Sequence, residues 1–450
     1  MPNIETEDMW KKWMAALQAT VFPNGIGKGQ QFSAASATLN VDLANKDPYI
    51  SNYNIYNTGN IVPANGPAYA PASSIISSYA TFLDWINLGG DPNPNLDSQI
   101  NIAAANLNNA QENFGKVQKD AVDQFKVYKE IDENAKFDAW VSQQYPTYQE
   151  AYDLLEGATA EYSRLMVQKY GEGYKALQYA KVKVDSLNGA QNIIKQNSFN
   201  MQVKLGSIAP PGSQPVLPGM KNPESADNLV STFAPSYALE AFSTVYSEWQ
   251  NKSTRNIQDY SVEISADSST YSYDKFGWDA SIKASWIGQF FRIFTGASTS
   301  GEKVNINTSS KNFGFSIKFT GLGSFRISPG LWWDNGMVST YHNKLKPNAP
   351  DFFGKDGSLA RIPYQIVVGF EPTIELKMDA NEYSSIKTDW KAKAAVSIGI
   401  GPFRIGSADV STYGKKEDIQ WNDASAKVTI GPIKSTMPIL LAVLSQQQGI

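Results

Sequence analysis

The chain has 450 residues, carries a formal net charge of −4 and contains no cysteine and one histidine, His342. The missing cysteines exclude thiol nucleophiles, iron–sulfur clusters, thiolate zinc sites and disulfides, and a single histidine excludes multi-histidine metal sites. No Lys/Arg-rich run is present, so we expect no nucleic-acid partner. We therefore expect a non-enzymatic protein without cofactor or metal. Carboxylate chemistry alone stays open, because it needs only two well-placed Asp or Glu side chains.

The N-terminal segment, Met1 to Asp8, is acidic and polar, and it lacks the basic start and apolar core of a secretory signal. The longest clean apolar run, Pro438 to Leu444, is too short to span a bilayer. These features predict that there is no transmembrane helix. They place the protein in the cytoplasm, or outside the cell after release without a signal peptide.

The first predicted element is a short amphipathic helix from Thr6 to Thr20. One face of it carries an apolar stripe, made of Met9, Trp10, Trp13, Met14 and Leu17. A stripe rich in tryptophan suits either a membrane surface or packing against the protein body, and packing is the interpretation we favour. The next seventy residues, 25–94, read as irregular apart from one helix at Ser73 to Leu88.

A heptad pattern follows, with Ile100 as its first a position. Nine of the ten a and d positions are apolar or aromatic: Ile100, Ala103, Leu107, Ala110, Phe114, Val117, Ala121, Gln124, Tyr128 and Ile131. A helix over 97–132 would be about 54 Å long. A short helix around 136–144 comes next, and a capping box at Thr147 opens a second long helix. That helix is interrupted near Gly171 and ends near residue 187.

These helices predict a long antiparallel, coiled-coil-like helical hairpin. As a rigid stalk it needs no further function, and this is the interpretation that the hairpin alone favours. The alternative is a hairpin that swings out, as in helical pore-forming toxins.

A Pro/Gly-rich segment, residues 206–228, separates the helical part from a region of period-two alternation. That region opens with one helix, about Ser236 to Asn251. Strands with one apolar and one polar face are predicted at 278–286, 313–319 and 374–378. A weak internal echo further suggests strand–turn–strand units, with glycine turns at Gly321–Gly323 and at Gly401.

The predicted fold class is therefore α+β. A helical domain (1–205) with the long hairpin is joined through the linker (206–228) to an antiparallel β-sandwich or open barrel (229–450).

Aromatic side chains beside polar segments are the candidate contact residues. They are Trp10, Trp13, Trp286, Phe290, Phe291, Trp332 and Trp333. Each could touch a membrane interface or a glycan, or could belong to the core, and for the pair Trp332–Trp333 the core interpretation is favoured. The Ser/Thr-rich stretch Thr295 to Lys311 suits either the lumen side of a membrane β-hairpin or an exposed loop, of which the loop is favoured.

Three functions fit these features. The first is a non-enzymatic, membrane-active protein of pore-forming-toxin type that assembles into a homo-oligomer. The second is a structural self-assembling protein that forms a filament, shell or crystalline body. The third is a carbohydrate-binding module on a helical stalk.

Overall fold

A computed structural model shows a mixed α+β protein, which confirms the predicted fold class at that level. The structure describes residues 4–46, 48–69, 71–90, 93–132, 137–185, 198–204, 229–251, 260–268, 289–295, 302–304, 306–392, 396–405, 418–434 and 437–448. The predicted linker (206–228), the predicted strand at 278–286 and its Trp286 lie outside these residues.

The helices of the described residues are α1 (Ile4–Val21), α2 (Pro48–Gly59), α3 (Ile75–Trp85), α4 (Pro94–Lys129), α5 (Phe137–Gln144), α6 (Pro146–Tyr170), α7 (Glu172–Asp185), α8 (Phe242–Asn251), α9 (Asn335–Tyr341) and α10 (Ala380–Ala392). The strands are β1 (Gln30–Asn40), β2 (Ile61–Pro63), β3 (Pro71–Ser74), β4 (Ser198–Lys204), β5 (Leu229–Pro235), β6 (Tyr237–Leu239), β7 (Tyr260–Ser265), β8 (Phe291–Thr295), β9 (Glu302–Lys303), β10 (Gly314–Pro329), β11 (Arg361–Lys377), β12 (Val396–Ile400), β13 (Phe403–Ile405), β14 (Ile419–Asn422), β15 (Lys427–Ile430) and β16 (Ile439–Gln447).

The chain folds into two compact units that do not follow the boundaries predicted from sequence. Unit 1 comprises residues 1–84, 183–343 and 347–450, and unit 2 comprises residues 85–182 with 344–346. The first 84 residues, which we expected in the helical domain, therefore pack with the C-terminal strands. The physical reason is a long-range strand pairing: β1 bonds antiparallel to β16, with Phe32 opposite Leu444 and Ala34 opposite Ala442.

Within the described residues, unit 1 is organised around an eight-stranded antiparallel sheet. Its central path runs β1–β16–β11–β10–β6, β7 pairs with β10, and β15 joins β14 to β11. The alternation predicted for 313–319 is present in β10, where Phe315, Ile317 and Phe319 are buried and Lys318 is exposed. One face of the sheet therefore builds the main core, as period-two patterning requires.

A smaller four-stranded sheet, in the order β13–β12–β8–β9, packs against that core. An apolar cavity between the two sheets is lined by side chains of both. Ile293, Ile398 and Ile400 come from the smaller sheet, and Leu376, Val428 and Ile430 come from the larger one. The predicted turn at Gly401 is confirmed, because β12 and β13 form an antiparallel pair around it and Gly401 has a φ of 55°.

The predicted turn at Gly321–Gly323 is wrong, because β10 continues unbroken through both glycines. The glycines serve a neighbouring helix instead. Trp249 of α8 lies directly over Gly321, where any Cβ atom would overlap the indole ring. Trp249 also stacks on Phe370 of β11, with ring centroids 6.4 Å apart. The second face of this part of the sheet is thereby covered by α8.

Unit 2 is built on α4 and α6, which pack side by side. Phe114 in the middle of α4 contacts Tyr148 near the start of α6, and Lys169 near the end of α6 pairs with Asp97 near the start of α4. The two helices therefore run in opposite directions. The predicted interruption near Gly171 is confirmed, because α6 ends at Tyr170 and Gly171 has a φ of 65°.

Eight of the ten predicted heptad positions of α4 are buried or half-buried. The other two, Gln124 and Ile131, are exposed. Gln124 is replaced in the seam by Phe125, because a straight helix drifts by about 20° per heptad against a seven-residue repeat. Ile131 lies beyond Lys129, the last residue of α4.

Candidate functional site

The aromatic candidates of the N-terminal helix lie in the core of unit 1. Trp10 meets Phe290 edge to face with ring centroids 5.1 Å apart, and Trp13 meets Phe315 and Phe403 at 6.4 and 6.1 Å. Phe291 is buried in the same cluster. The stripe of α1 therefore packs against the protein body in this structure, which is the alternative that we favoured for it.

Trp332 and Trp333 are also buried, in an aromatic cluster with Tyr79 of α3. The indole N–H of Trp332 donates to the carbonyl of Ser236 at 2.8 Å, and that of Trp333 donates to Oδ1 of Asn335 at 2.6 Å. Burial raises the pKa of the Tyr79 hydroxyl, which accepts a hydrogen bond from the backbone N–H of Asp334. In this conformation neither ring offers a face to lipid or sugar, so contact by these residues stays a prediction that requires their release.

The single histidine has a local structural role. His342 follows the last turn of α9, and its Nδ1 lies 3.0 Å from the carbonyl oxygen of Ser339. Among the described residues, no three His, Asp or Glu side chains lie close enough to hold a metal ion.

The exposed apolar surface is concentrated in unit 2. Ten large hydrophobic side chains are exposed among the described residues, and eight of them belong to this unit: Ile102, Val122, Val127, Ile131, Tyr152, Leu154, Tyr179 and Val182. The other two of these ten, Leu39 and Leu331, lie in unit 1. Two long helices that meet along one seam leave most of their circumference outside, so apolar residues off the seam find no cover within the pair.

A second candidate site is a groove on the outer, polar face of the large sheet. It has a volume of about 480 Å³ and is lined by Glu263, Ile264, Ser265, Ser268, Gly314, Phe315, Ser316, Glu375, Lys377 and Lys427. Sequence reasoning did not single out these residues. The signal available was the polar half of each alternating strand, but which strands are neighbours depends on pairings between distant segments.

The sequence matches no protein-family model and no curated protein, and no solved structure matches the fold. None of the helices in the described part of the chain combines the length and the hydropathy needed to cross a lipid bilayer.

Proposed function

We propose that the protein is a non-enzymatic, membrane-active protein of pore-forming type that acts as a homo-oligomer. One observation carries the proposal: the exposed apolar side chains gather on unit 2. Apolar surface left in water favours association with lipid or with another copy, by about 25 cal/mol for each Å² removed from water.

In this proposal α4 and α6 form an antiparallel helical hairpin that makes the contacts, and the two facing sheets form a β-sandwich that carries it. The aromatic residues of α1 and the pair Trp332–Trp333 stay in the core until the protein meets a membrane. Oligomerisation would bring several unit 2 surfaces together, which increases the apolar area in contact with lipid.

Dye release from liposomes of mixed composition tests the proposal, with the pelleted lipid examined by negative-stain microscopy. We expect leakage together with ring-shaped particles. Complete absence of leakage and of lipid-bound protein would overturn the proposal. Filaments or sheets in the lipid-free sample would then support the structural self-assembly alternative.

Matched variants locate the membrane-active surface. The triple variant Ile102→Gln, Val127→Gln, Leu154→Gln changes exposed residues of unit 2 without touching its seam. Because each replaced side chain contributes roughly 1.5–3 kcal/mol when fully buried, we expect the leakage rate to fall at least about tenfold. Leu331→Gln is the control, since Leu331 in unit 1 is as exposed (69%) as Leu154 in unit 2 (63%). Equal leakage from the triple variant and this control would contradict the assignment to unit 2.

A further inference from the structure

The groove on the outer face of the large sheet is produced by strand register. On β10, Ser316 lies between Glu263 of β7 and Glu375 of β11, and Gly314 lies between Ser265 and Lys377. Small residues on the middle strand thus stand between larger ones on both neighbours. Since each neighbouring strand is about 4.8 Å away, the backbones that carry the two glutamates are roughly 10 Å apart.

The floor of the groove is firmly held. Phe315 and Ile264 also line the groove, but their side chains are buried in the core on the opposite face. β10 is bonded to β7 on one side and to β11 on the other, so its backbone N–H and C=O groups are already used in the sheet. A ligand must therefore be recognised by side chains, and an added peptide strand does not fit this face.

The charges of the groove cancel. Glu263 and Glu375 line the groove together with Lys377 and Lys427, and Lys427 Nζ lies 3.0 Å from Glu375 Oε1. The Ser261 hydroxyl donates to Glu263 Oε1 at 3.0 Å. These contacts orient both carboxylates, each of which has two oxygens and about four acceptor positions. The groove therefore combines acceptors, donors and serine hydroxyls around a formally neutral centre.

From this composition we infer that the groove binds a saccharide. A sugar is uncharged, and its neighbouring hydroxyls both donate and accept, which matches carboxylate, ammonium and serine groups arranged around one depression. A charged ligand gains little from a site of zero net charge, and an apolar ligand finds no exposed apolar side chain there. The volume falls within the roughly 300–1,000 Å³ that is typical of small-molecule sites.

The test uses the full chain on an array of neutral and acidic glycans, followed by calorimetric titration with the oligosaccharides that bind. The variant Ser316→Tyr fills the middle of the groove, and we expect it to weaken binding at least tenfold. Lys318→Tyr is the matched control, because Lys318 is an exposed residue on the same strand and face but outside the groove. Wild-type affinity in the control shows that the added bulk alone does not abolish binding.

A second variant guards against misfolding of the first. Glu263→Gln keeps the size of an exposed side chain and removes a charged acceptor, so we expect a severalfold loss of affinity with unchanged circular dichroism. Failure of every glycan to bind at millimolar concentration would overturn the inference, and so would full binding by Ser316→Tyr. Vesicles that carry a glycolipid with the best headgroup distinguish a lipid-linked source of the sugar from a free one. Vesicles without sugar test the membrane proposal separately, and Ser316→Tyr should leave their leakage unchanged.

Discussion

Gly321 shows how one absent side chain fixes the position of a helix. Trp249 occupies the space that a Cβ atom would take, and Phe242 and Tyr246 of the same helix pack beside it on the sheet. Glycine here is needed for close approach, since β10 is an ordinary extended strand at this point. The sequence contains both Gly321 and Trp249 but cannot show that they meet, because they are 72 residues apart.

The first prediction concerns this contact. Gly321→Ala forces Trp249 and α8 away from the sheet, and we expect the free energy of unfolding to fall by about 1–3 kcal/mol, as overpacking of a core does. Urea denaturation followed by tryptophan fluorescence measures the change. Gly115→Ala is the control: Gly115 lies on α4 with open space around it, and alanine there should stabilise the helix by up to about 1 kcal/mol. Similar effects of Gly321→Ala and Gly115→Ala would show that the close approach of Trp249 to Gly321 does not contribute to stability.

Asp423 provides a pH-dependent contact at the residue scale. It accepts hydrogen bonds from Lys387 and from the Tyr383 hydroxyl of α10, and these bonds hold its pKa below the ordinary value of 3.8. Burial, followed by the hydrogen bond to Asp423, raises the pKa of Tyr383 to about 12. A carboxyl whose pKa is lowered by folding stabilises the folded state above its unfolded pKa and loses that effect as the pH falls through its folded value.

We therefore expect Asp423→Asn to be less stable than the wild type at pH 6 and for the difference to shrink as the pH falls below 3.8. Urea midpoints measured between pH 6 and pH 2 test this. Asp389→Asn, at an exposed position of α10, the helix that carries Lys387 and Tyr383, serves as the control. If the difference in stability between the wild type and Asp423→Asn stays constant across the pH range, protonation of the Asp423 carboxyl does not weaken this contact.

At the scale of elements, the seam of α4 with its neighbours shows what periodicity predicts and where it stops. The heptad positions from Ile100 to Ala121 lie in the seam, as the apolar spacing indicates. Beyond Ala121 the half-buried residues are Phe125 and the heptad position Tyr128, and the Phe125 ring lies 5.4 Å from that of Trp140 on α5. A strict seven-residue repeat does not predict the shift of the seam from position 124 to position 125. The repeat stays in the seam only if the helices supercoil, and a straight helix rotates away from it.

The position of Phe125 in the seam, where the heptad pattern places Gln124, leads to a prediction about stability. Phe125→Ala removes a half-buried ring from the cluster with Trp140, and we expect a loss of about 2 kcal/mol, below the value for a fully buried phenylalanine. Gln124→Ala on the exposed side should change the free energy of unfolding by less than about 0.5 kcal/mol. Hydrogen exchange of α4 and α5 amides measures both. A larger loss of stability from Gln124→Ala than from Phe125→Ala would instead support the strict heptad assignment.

At the scale of the molecule, the two units differ in how much apolar surface they bury. Among the described residues, unit 1 contains two large hydrophobic clusters, whereas two clusters of unit 2 have three buried residues each. Of the nine tryptophans among the described residues, seven lie in unit 1 and two, Trp85 and Trp140, lie in unit 2. We expect unit 2 to unfold first on heating, because it has less burial to oppose chain entropy.

Thermal unfolding followed by two signals tests this expectation. Circular dichroism at 222 nm should show an early transition as the long helices melt, and near-ultraviolet dichroism, which reports mainly the tryptophans of unit 1, should not change until a higher temperature. Coincident transitions would mean that the units unfold as one. Phe125→Ala should lower the first midpoint only, which identifies that transition with unit 2.

The division into units differs from the domain boundaries that we expected from the sequence. Local patterns correctly predicted the first helix, the long helices and the alternation of β10 and β11. They could not show that β1 pairs with β16, in which Leu444 lies 412 residues after its partner Phe32, because the spacing of hydrophobic residues does not indicate which strands pair. The outer groove was missed for the same reason. Its lining residues lie on or beside four strands, β7, β10, β11 and β15, which become neighbours only through strand pairing in the folded sheet.

The pairing of β1 with β16 also has a consequence for synthesis. The large sheet of unit 1 cannot be completed until the residues of β16, 439–447, have left the ribosome. Unit 2 lies between β1 and β16 in the sequence, so it can fold long before then. During translation, the segment that forms β1 and the tryptophan stripe of α1 are synthesised long before the C-terminal residues that they contact in the folded protein. Nascent chains of this kind expose edge strands and apolar residues for many seconds, at synthesis rates of about 5–20 residues per second. We therefore expect its nascent chains to bind chaperones through the first forty residues, well before the helical pair is complete.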